Sequence, residues 1–462
     1  MNDFERLRPV GPLEKYSTAR HSLGLYFNVA VSATYILPDT FTLPLKDYVY
    51  KACETLIGQH PILSAIPINE DTEDTWFVRL PKIDLSQSVA FQRRTRDFPN
   101  SNEPDIELCE LLQVQHSTGF AAPLPYWRLF ILTDEANDLR FTAVYVFHHA
   151  IGDGTSGKAF HQTFLDALHA AATFLTPGEV KQVIQSPTSP LLPNLEALHP
   201  CPTTIPFLLN ALFRAKVWSH RDPRLWTGAK ISAPVKTELR QIIIPAAVSA
   251  AFRKNCRRNN ATVTAALQAA VARALLTHLP AKYIKVQMNG AISCRRWLKG
   301  GEITDQSMGV WVMDFAESFY RNEVNQYPDT FPWDQARKSR ATIEQALGRE
   351  GKNAGTCLLK HIDNFQDLFR GKIGKDRDES FEVSNVGVLQ SKQEEDPSRP
   401  QTTRAMFSQT PSALGAALEV SSITGGDGCL VLGITWQTGV AEPELVNAVI
   451  DTLVKELHNA AH

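Results

Sequence analysis

Two histidines and an aspartate stand close together in Phe147-His148-His149-Ala150-Ile151-Gly152-Asp153-Gly154, with His149 four residues ahead of Asp153. An unperturbed imidazole titrates near ~6.5, so His149 can act as a general base, taking a proton from a hydroxyl or thiol at neutral pH. Asp153 reads as the group that fixes the loop through an ion pair with an arginine, rather than one that acts on substrate. The bland alternative is that both histidines cap a strand end and bind backbone carbonyls. A doubled histidine with Asp-Gly at fixed spacing favours chemistry. The same stretch overlaps a phosphate-loop pattern, Gly152 to Lys158, but Ala159 stands where a magnesium-binding Ser or Thr is required. The run Val310 to Asp314 imitates the matching magnesium strand, a common pattern. No GxSxG motif is present, so a serine nucleophile is unsupported and both substrates would have to be held together.

The base needs a rigid mount. Phe141 to Phe147 is β-branched and aromatic, a strand pattern. Gly152, Gly154 and Gly157 then allow sharp backbone geometry before a helix that runs to about Leu175. Ahead of this unit, strands are expected over 26–37 and 63–68, with a helix over 45–57 stopped by His60-Pro61. Residues 94–107 read as a loop. From Thr176 to Pro206 prolines come thickly, which marks a linker. It leads into an amphipathic stretch, Phe207 to Trp218, expected to dock on the core rather than lie on a membrane surface. The second half predicts strands over 239–244, 284–288, 309–313, 381–389 and 429–436. It also predicts a helix from Ala265 to Leu279 capped by Thr262 or Thr264, and a last helix from Pro443 with Leu445, Val449, Ile450, Leu453 and Leu457 on one stripe.

The chain has 462 residues, enough for two cores. Its formal net charge of −2 lacks the basic excess that nucleic acid demands. Seven scattered cysteines show neither zinc spacing nor a disulfide framework, so no metal is expected. No basic leader precedes an apolar stretch, and no apolar run approaches the ~18–20 residues of a membrane span. A cytoplasmic protein without a stable membrane span is expected.

The HHxxxDG form, His148 to Gly154, resembles the signature of the chloramphenicol acetyltransferase-like acyltransferases. These include plant BAHD enzymes, carnitine acyltransferases and the condensation domains of peptide synthetases. Arg8 to Tyr16, with Ser17-Thr18-Ala19-Arg20-His21, looks like the opening of fungal alcohol acetyltransferases. Ser384 to Gly387, Phe407-Ser408-Gln409 and Ile434 to Gly439 are similar to their C-terminal landmarks. The resemblance implies two α/β domains, each a mixed sheet flanked by helices, with a tunnel between them. They would span 1–178 and 236–462, joined by a Pro-rich crossover at 179–235.

It further implies that His149 deprotonates an acceptor hydroxyl, which attacks the thioester carbonyl of an acyl-CoA and expels CoA thiolate. Holding both substrates can remove ~7–11 kcal/mol of barrier in favourable cases. Arg295 resembles the arginine that pairs with Asp153; Ser293 stands where relatives often carry Asn. Ser384 and Asn385 are candidates for the oxyanion, and Ser408 for substrate binding, where Phe407-Ser408-Gln409 takes the place of the plant DFGWG loop. The basic cluster Arg253-Lys254 with Arg257-Arg258 is either a CoA phosphate contact or a solvated helix face. The expected co-substrate is acetyl-CoA, with no permanently bound cofactor, and the expected acceptor is an alcohol or secondary metabolite. The alternative donor is an acyl carrier protein, with a hydroxyl or amine acceptor.

Overall fold

The structure is a computed structural model, which describes residues 4–134, 138–174, 178, 180–216, 222–298, 303–389 and 399–461. Two mixed sheets dominate it. The first has five strands in the order 401–409, 29–36, 140–147, 127–133, 89–93, antiparallel except for the last pair. The strand that carries the histidines, Arg140–Phe147, sits at its centre and is buried from Phe141 onward. The second sheet has seven strands in the order 225–226, 285–293, 381–388, 418–424, 430–437, 237–244, with 312–320 also paired to 285–293. A three-stranded sheet (5–9, 76–79, 65–68) and a two-stranded one (82–84, 183–185) complete the strands found.

Alternation explains which faces meet. Along 430–437, Leu430, Leu432, Ile434 and Trp436 join the C-terminal core, while Val431 joins the N-terminal one. Helix Val263–His278 lies in that C-terminal core, with twelve consecutive buried residues from Ala265 to Leu276. Its alanines let neighbours approach closely, and Thr262 caps it by accepting the Ala265 N–H at 3.1 Å. In the N-terminal half, helix Gly154–Phe174 packs on helix Leu45–Gln59.

Strand 401–409 was not foreseen, and it joins the halves. It comes from the C-terminal half of the sequence yet pairs with 29–36 in the N-terminal sheet. A side chain at Gly433 would sit 2.5 Å from the Phe407 carbonyl, so glycine lets the second sheet press against this strand.

Two expectations are corrected. The strand foreseen over 309–313 begins only at Val312, because the backbone of 309–311 is hydrogen-bonded to the Asp153 turn instead. The amphipathic stretch forms helix Ile205–Lys216 but does not bury its apolar surface. Ile205, Leu209 and Leu212 remain 73%, 61% and 54% exposed, and Phe207, Leu208 and Ala211 are only partly covered. Val217 and Trp218 lie outside the described residues.

Candidate active site

His148 continues the central strand by one bond, its N–H donating to the Tyr126 carbonyl at 2.9 Å. The chain then turns. The Ile151 N–H donates to the His148 carbonyl at 3.0 Å, and the Ala150 N–H to His148 Nδ1 at 2.9 Å. Asp153 caps the following helix, accepting the Ser156 N–H at 2.9 Å and the Ser156 hydroxyl at 3.0 Å through Oδ1. The glycines here serve close approach rather than unusual dihedrals, since Gly152, Gly154 and Gly157 are not among the positive-φ residues. A Cβ at Gly154 would lie 2.6 Å from Val386, and one at Gly157 2.3 Å from Val31. The helix therefore starts pressed between both halves.

Asp153 and Arg295 meet as a fork-on-fork pair, Nη1 to Oδ2 at 2.8 Å and Nη2 to Oδ1 at 2.9 Å. The Trp311 N–H donates to Oδ2 at 3.1 Å. Burial pushes the Asp153 carboxyl up, but Arg295 and these hydrogen bonds outweigh it and hold the group below its ordinary value. All this capacity is directed at Arg295, Ser156 and Trp311. Asp153 does not orient the imidazole as the aspartate of a catalytic triad would. Arg296, next in sequence, is exposed.

His149 is half-buried. Its Nδ1 is buried and meets no partner in good hydrogen-bond geometry. Desolvation first, then the charge of Arg20, lowers the imidazole to about 4, with the His149 and Gly152 backbone drawing it slightly back. The ring is thus neutral at pH 7. Tyr26 lies beside it, ring centroids 5.6 Å apart. The Tyr26 hydroxyl donates to Gln409 Oε1 at 3.2 Å, and Gln409 Nε2 donates to Glu382 Oε1 at 3.4 Å.

Behind His148 lies a second group, which the sequence reading missed. Among the described residues, His21, Glu70 and His148 form the one set of three that could surround a metal ion. Their hydrogen bonds fit a different arrangement. His21 Nε2 accepts the Phe120 N–H at 2.9 Å, and His148 Nδ1 accepts that of Ala150. Each neutral ring therefore carries its proton on the nitrogen that faces Glu70. His21 Nδ1 lies 2.6 Å from Glu70 Oε2, and His148 Nε2 lies 3.6 Å from Oε1. Both lone pairs that a cation would need are committed to backbone N–H groups. The set fits a carboxylate bonded to the His21 N–H and facing the His148 N–H across 3.6 Å, too long for a hydrogen bond, with His148 as the link to the turn that carries His149.

A cleft of about 840 Å³ opens between the start of helix 154–174 and the second sheet, lined by Lys158, Thr264, Arg295, Arg296, Ser384 and Asn385 among others. Asn385 is engaged there, with Nδ2 donating to Thr264 Oγ1 at 3.0 Å and Oδ1 accepting the Gly387 N–H at 2.8 Å. Ser408 is buried in strand 401–409 and hydrogen-bonded to His116 Nε2 at 2.8 Å. Of the three polar candidates, Ser384 keeps its place in the cleft wall without such a tie. Arg253, Lys254, Arg257 and Arg258 form an exposed helix face and do not line this cleft.

Two mixed sheets joined by an exchanged strand make a fold shared with solved acetyltransferase and condensation-domain structures. The structure resembles the trichothecene 15-O-acetyltransferase TRI3 of Fusarium sporotrichioides, with a TM-score of 0.71 at 13% identity over 100% of this chain and 98% of the other. It also resembles the first condensation domain of the calcium-dependent antibiotic synthetase, with a TM-score of 0.62 at 12% identity over 99% and 96%. These likenesses concern the fold. The profile of the alcohol acetyltransferase family matches residues 9–444, and the chain belongs to that family. It is 35% identical over 457 residues to the probable alcohol acetyltransferase crmB of Aspergillus fumigatus, covering 95% of this chain and 96% of that protein. It is 25% identical to the probable alcohol acetyltransferase FCK4 of Fusarium pseudograminearum, covering 97% and 94%. The protein is an acyltransferase that uses an acyl donor and a small-molecule acceptor. No helix among the described residues is long and apolar enough to cross a membrane.

Proposed function

We propose that the protein transfers an acetyl group from acetyl-CoA to the hydroxyl of a small molecule, with His149 as the general base. The reading is carried by one observation: a half-buried, neutral imidazole on a turn clamped by the Asp153–Arg295 pair, between the two halves. The acceptor O–H gives its proton to His149 Nε2 as the oxygen attacks the thioester carbonyl. The tetrahedral oxyanion collapses, the C–S bond breaks, and the thiolate takes the proton back from the imidazolium. Lys158 and Arg296 give the 840 Å³ cleft a cationic wall suited to the phosphates of CoA. Ser384 is the oxyanion donor in this reading, a contact worth about 3 kcal/mol in other enzymes.

The test uses acetyl-CoA, a panel of alcohols and release of free thiol. His149→Ala should lose about 10²–10⁴-fold in kcat while its circular dichroism stays that of the wild type. Undiminished turnover in that variant removes His149 as the base. Turnover that appears only when an acylated carrier protein replaces acetyl-CoA would reassign the donor.

A further inference from the structure

The second sheet turns an unusual face towards His149. Asn289, Glu382, Glu419 and Thr435 lie directly opposite one another across four adjacent strands, so their side chains form one polar row. Ser384 and Ser421 form the next row. Glu379, just ahead of strand 381–388, accepts the Asn289 Nδ2 at 2.7 Å. Three carboxyl groups thus gather on one wall. The wall reaches the base through Glu382, Gln409 and Tyr26, whose ring lies against His149.

These carboxyls have no ion-pair partner among the described residues: none of Glu379, Glu382 and Glu419 has a lysine, arginine or histidine nitrogen within ion-pair distance, 4.0 Å. Two cations stand nearby and are otherwise engaged. The Arg20 guanidinium lies over the rings of Tyr16 and Tyr26, 4.0 and 4.4 Å from their centroids. Arg377 donates to the carbonyls of Ala229 and Ser412 and to Gln437. A further acid, Asp314, accepts the Thr356 N–H and hydroxyl.

A second observation is independent of the acids. Ser421 Oγ and Thr435 Oγ1 belong to residues only 1% and 0% exposed, point to the same face by strand alternation, and have no hydrogen-bond partner among the described residues. Glu419 Oε2 is likewise buried and unpartnered. Buried carboxyls are ordinarily paired and buried hydroxyls satisfied. Like acids directly opposite across a sheet repel. A wall with acceptors in excess, beside the group that activates the acceptor, lacks a cationic, hydrogen-bond-donating ligand. Burial and Glu382 push the Glu379 carboxyl up to about 8, so a docked cation would be what holds it ionised at pH 7.

We propose that the natural acceptor is an amino alcohol, whose protonated nitrogen docks against Glu379 and Glu382 while its hydroxyl reaches His149. This rests on His149 as the acceptor-activating base. The ammonium supplies the missing counter-charge, and its N–H groups supply donors to the wall.

The experiment uses the full chain and a pair matched in shape, 1-methylpiperidin-4-ol, a cation at pH 7, and 4-methylcyclohexanol, which is neutral. Calorimetric binding is measured first without acyl donor, so that it does not depend on turnover. The amino alcohol should bind at least about tenfold more tightly, a difference of about 1.4 kcal/mol. Glu379→Gln and Glu382→Gln should each shrink that preference, and together reduce it to below about threefold. Equal binding of the two alcohols, binding of neither, or a preference that survives both substitutions overturns the proposal. Acetyl-CoA is then added. A binding preference without acetyl transfer to either alcohol would leave the amine site standing and remove the acyl-transfer reading. Transfer to both at equal kcat/KM would do the reverse. The wild-type comparison needs no variant to fold.

Discussion

At the scale of single residues, the site divides labour between neighbours. His149 is kept neutral by burial, so its lowered value of about 4 sets a sign for pH dependence. A base must be unprotonated, so kcat/KM should fall as pH drops through about 4 and stay level towards neutrality. A limb near the ordinary imidazole value, ~6.5, would contradict this environment. His148 has a different task. Its ring is held by the Ala150 N–H on one side and faces Glu70 on the other. Glu70→Gln keeps an acceptor for the His21 N–H but turns an N–H towards that of His148. It should cost about 1–3 kcal/mol of stability in urea melts and lower kcat with little change in KM. Glu70→Asp, which keeps two acceptors, should recover part of kcat. If both variants match the wild type in kcat, the pair of imidazoles does not position the base.

At the scale of elements, the decisive unit is strand 140–147, turn and helix 154–174. Sequence pattern placed all three, and the strand begins within a residue of the expected position. The role of the glycines was not legible, because a sequence does not show what approaches a Cβ. Val386 and Val31 do, from other strands. Gly154→Ala should therefore push the helix start away from strand 381–388, lowering both the melting temperature and kcat. Gly58→Ala, where no atom lies within 4 Å of the added carbon, should do neither. The Asp153–Arg295 pair gives the same unit its acid sensitivity. The Asp153 carboxyl is depressed in the folded state, so its contribution is present above the ordinary carboxylate value of ~3.9. It is lost as pH falls through the lower folded value. Asp153→Asn should flatten that acid limb in thermal melts and lower stability at pH 7.

At the scale of the whole molecule, the halves are not separable bodies that merely touch. Strand 401–409 completes the N-terminal sheet, and Met406 and Phe407 are buried in that core. Residues 1–235 expressed alone would expose the edge of strand 29–36 and the apolar surface those side chains cover. That fragment should aggregate, and co-expression with 236–462 should restore soluble protein and activity. A monomeric, cooperatively melting 1–235 fragment would show the exchanged strand to be dispensable.

The chain by itself determined what is local and chemical. The doubled histidine, the aspartate four residues on, the strand before them and the helix after them all follow from side-chain type and short-range periodicity. Arg295 and Ser384 were reachable only through resemblance; His21, Gln409 and Thr435 lay in stretches that carry the resemblance but had no role assigned, and Glu70, Tyr26, Asn289, Glu382 and Glu419 were not singled out. They are ordinary polar residues scattered over some four hundred positions, and nothing in their spacing links them. Tertiary structure decided their meeting, because sheet register sets residues from distant strands directly opposite one another. Burial then determined what the chemistry could be. It lowered the His149 imidazole, Arg295 kept Asp153 charged against it, and among the described residues Glu379, Glu382 and Glu419 were left without an ion-pair partner.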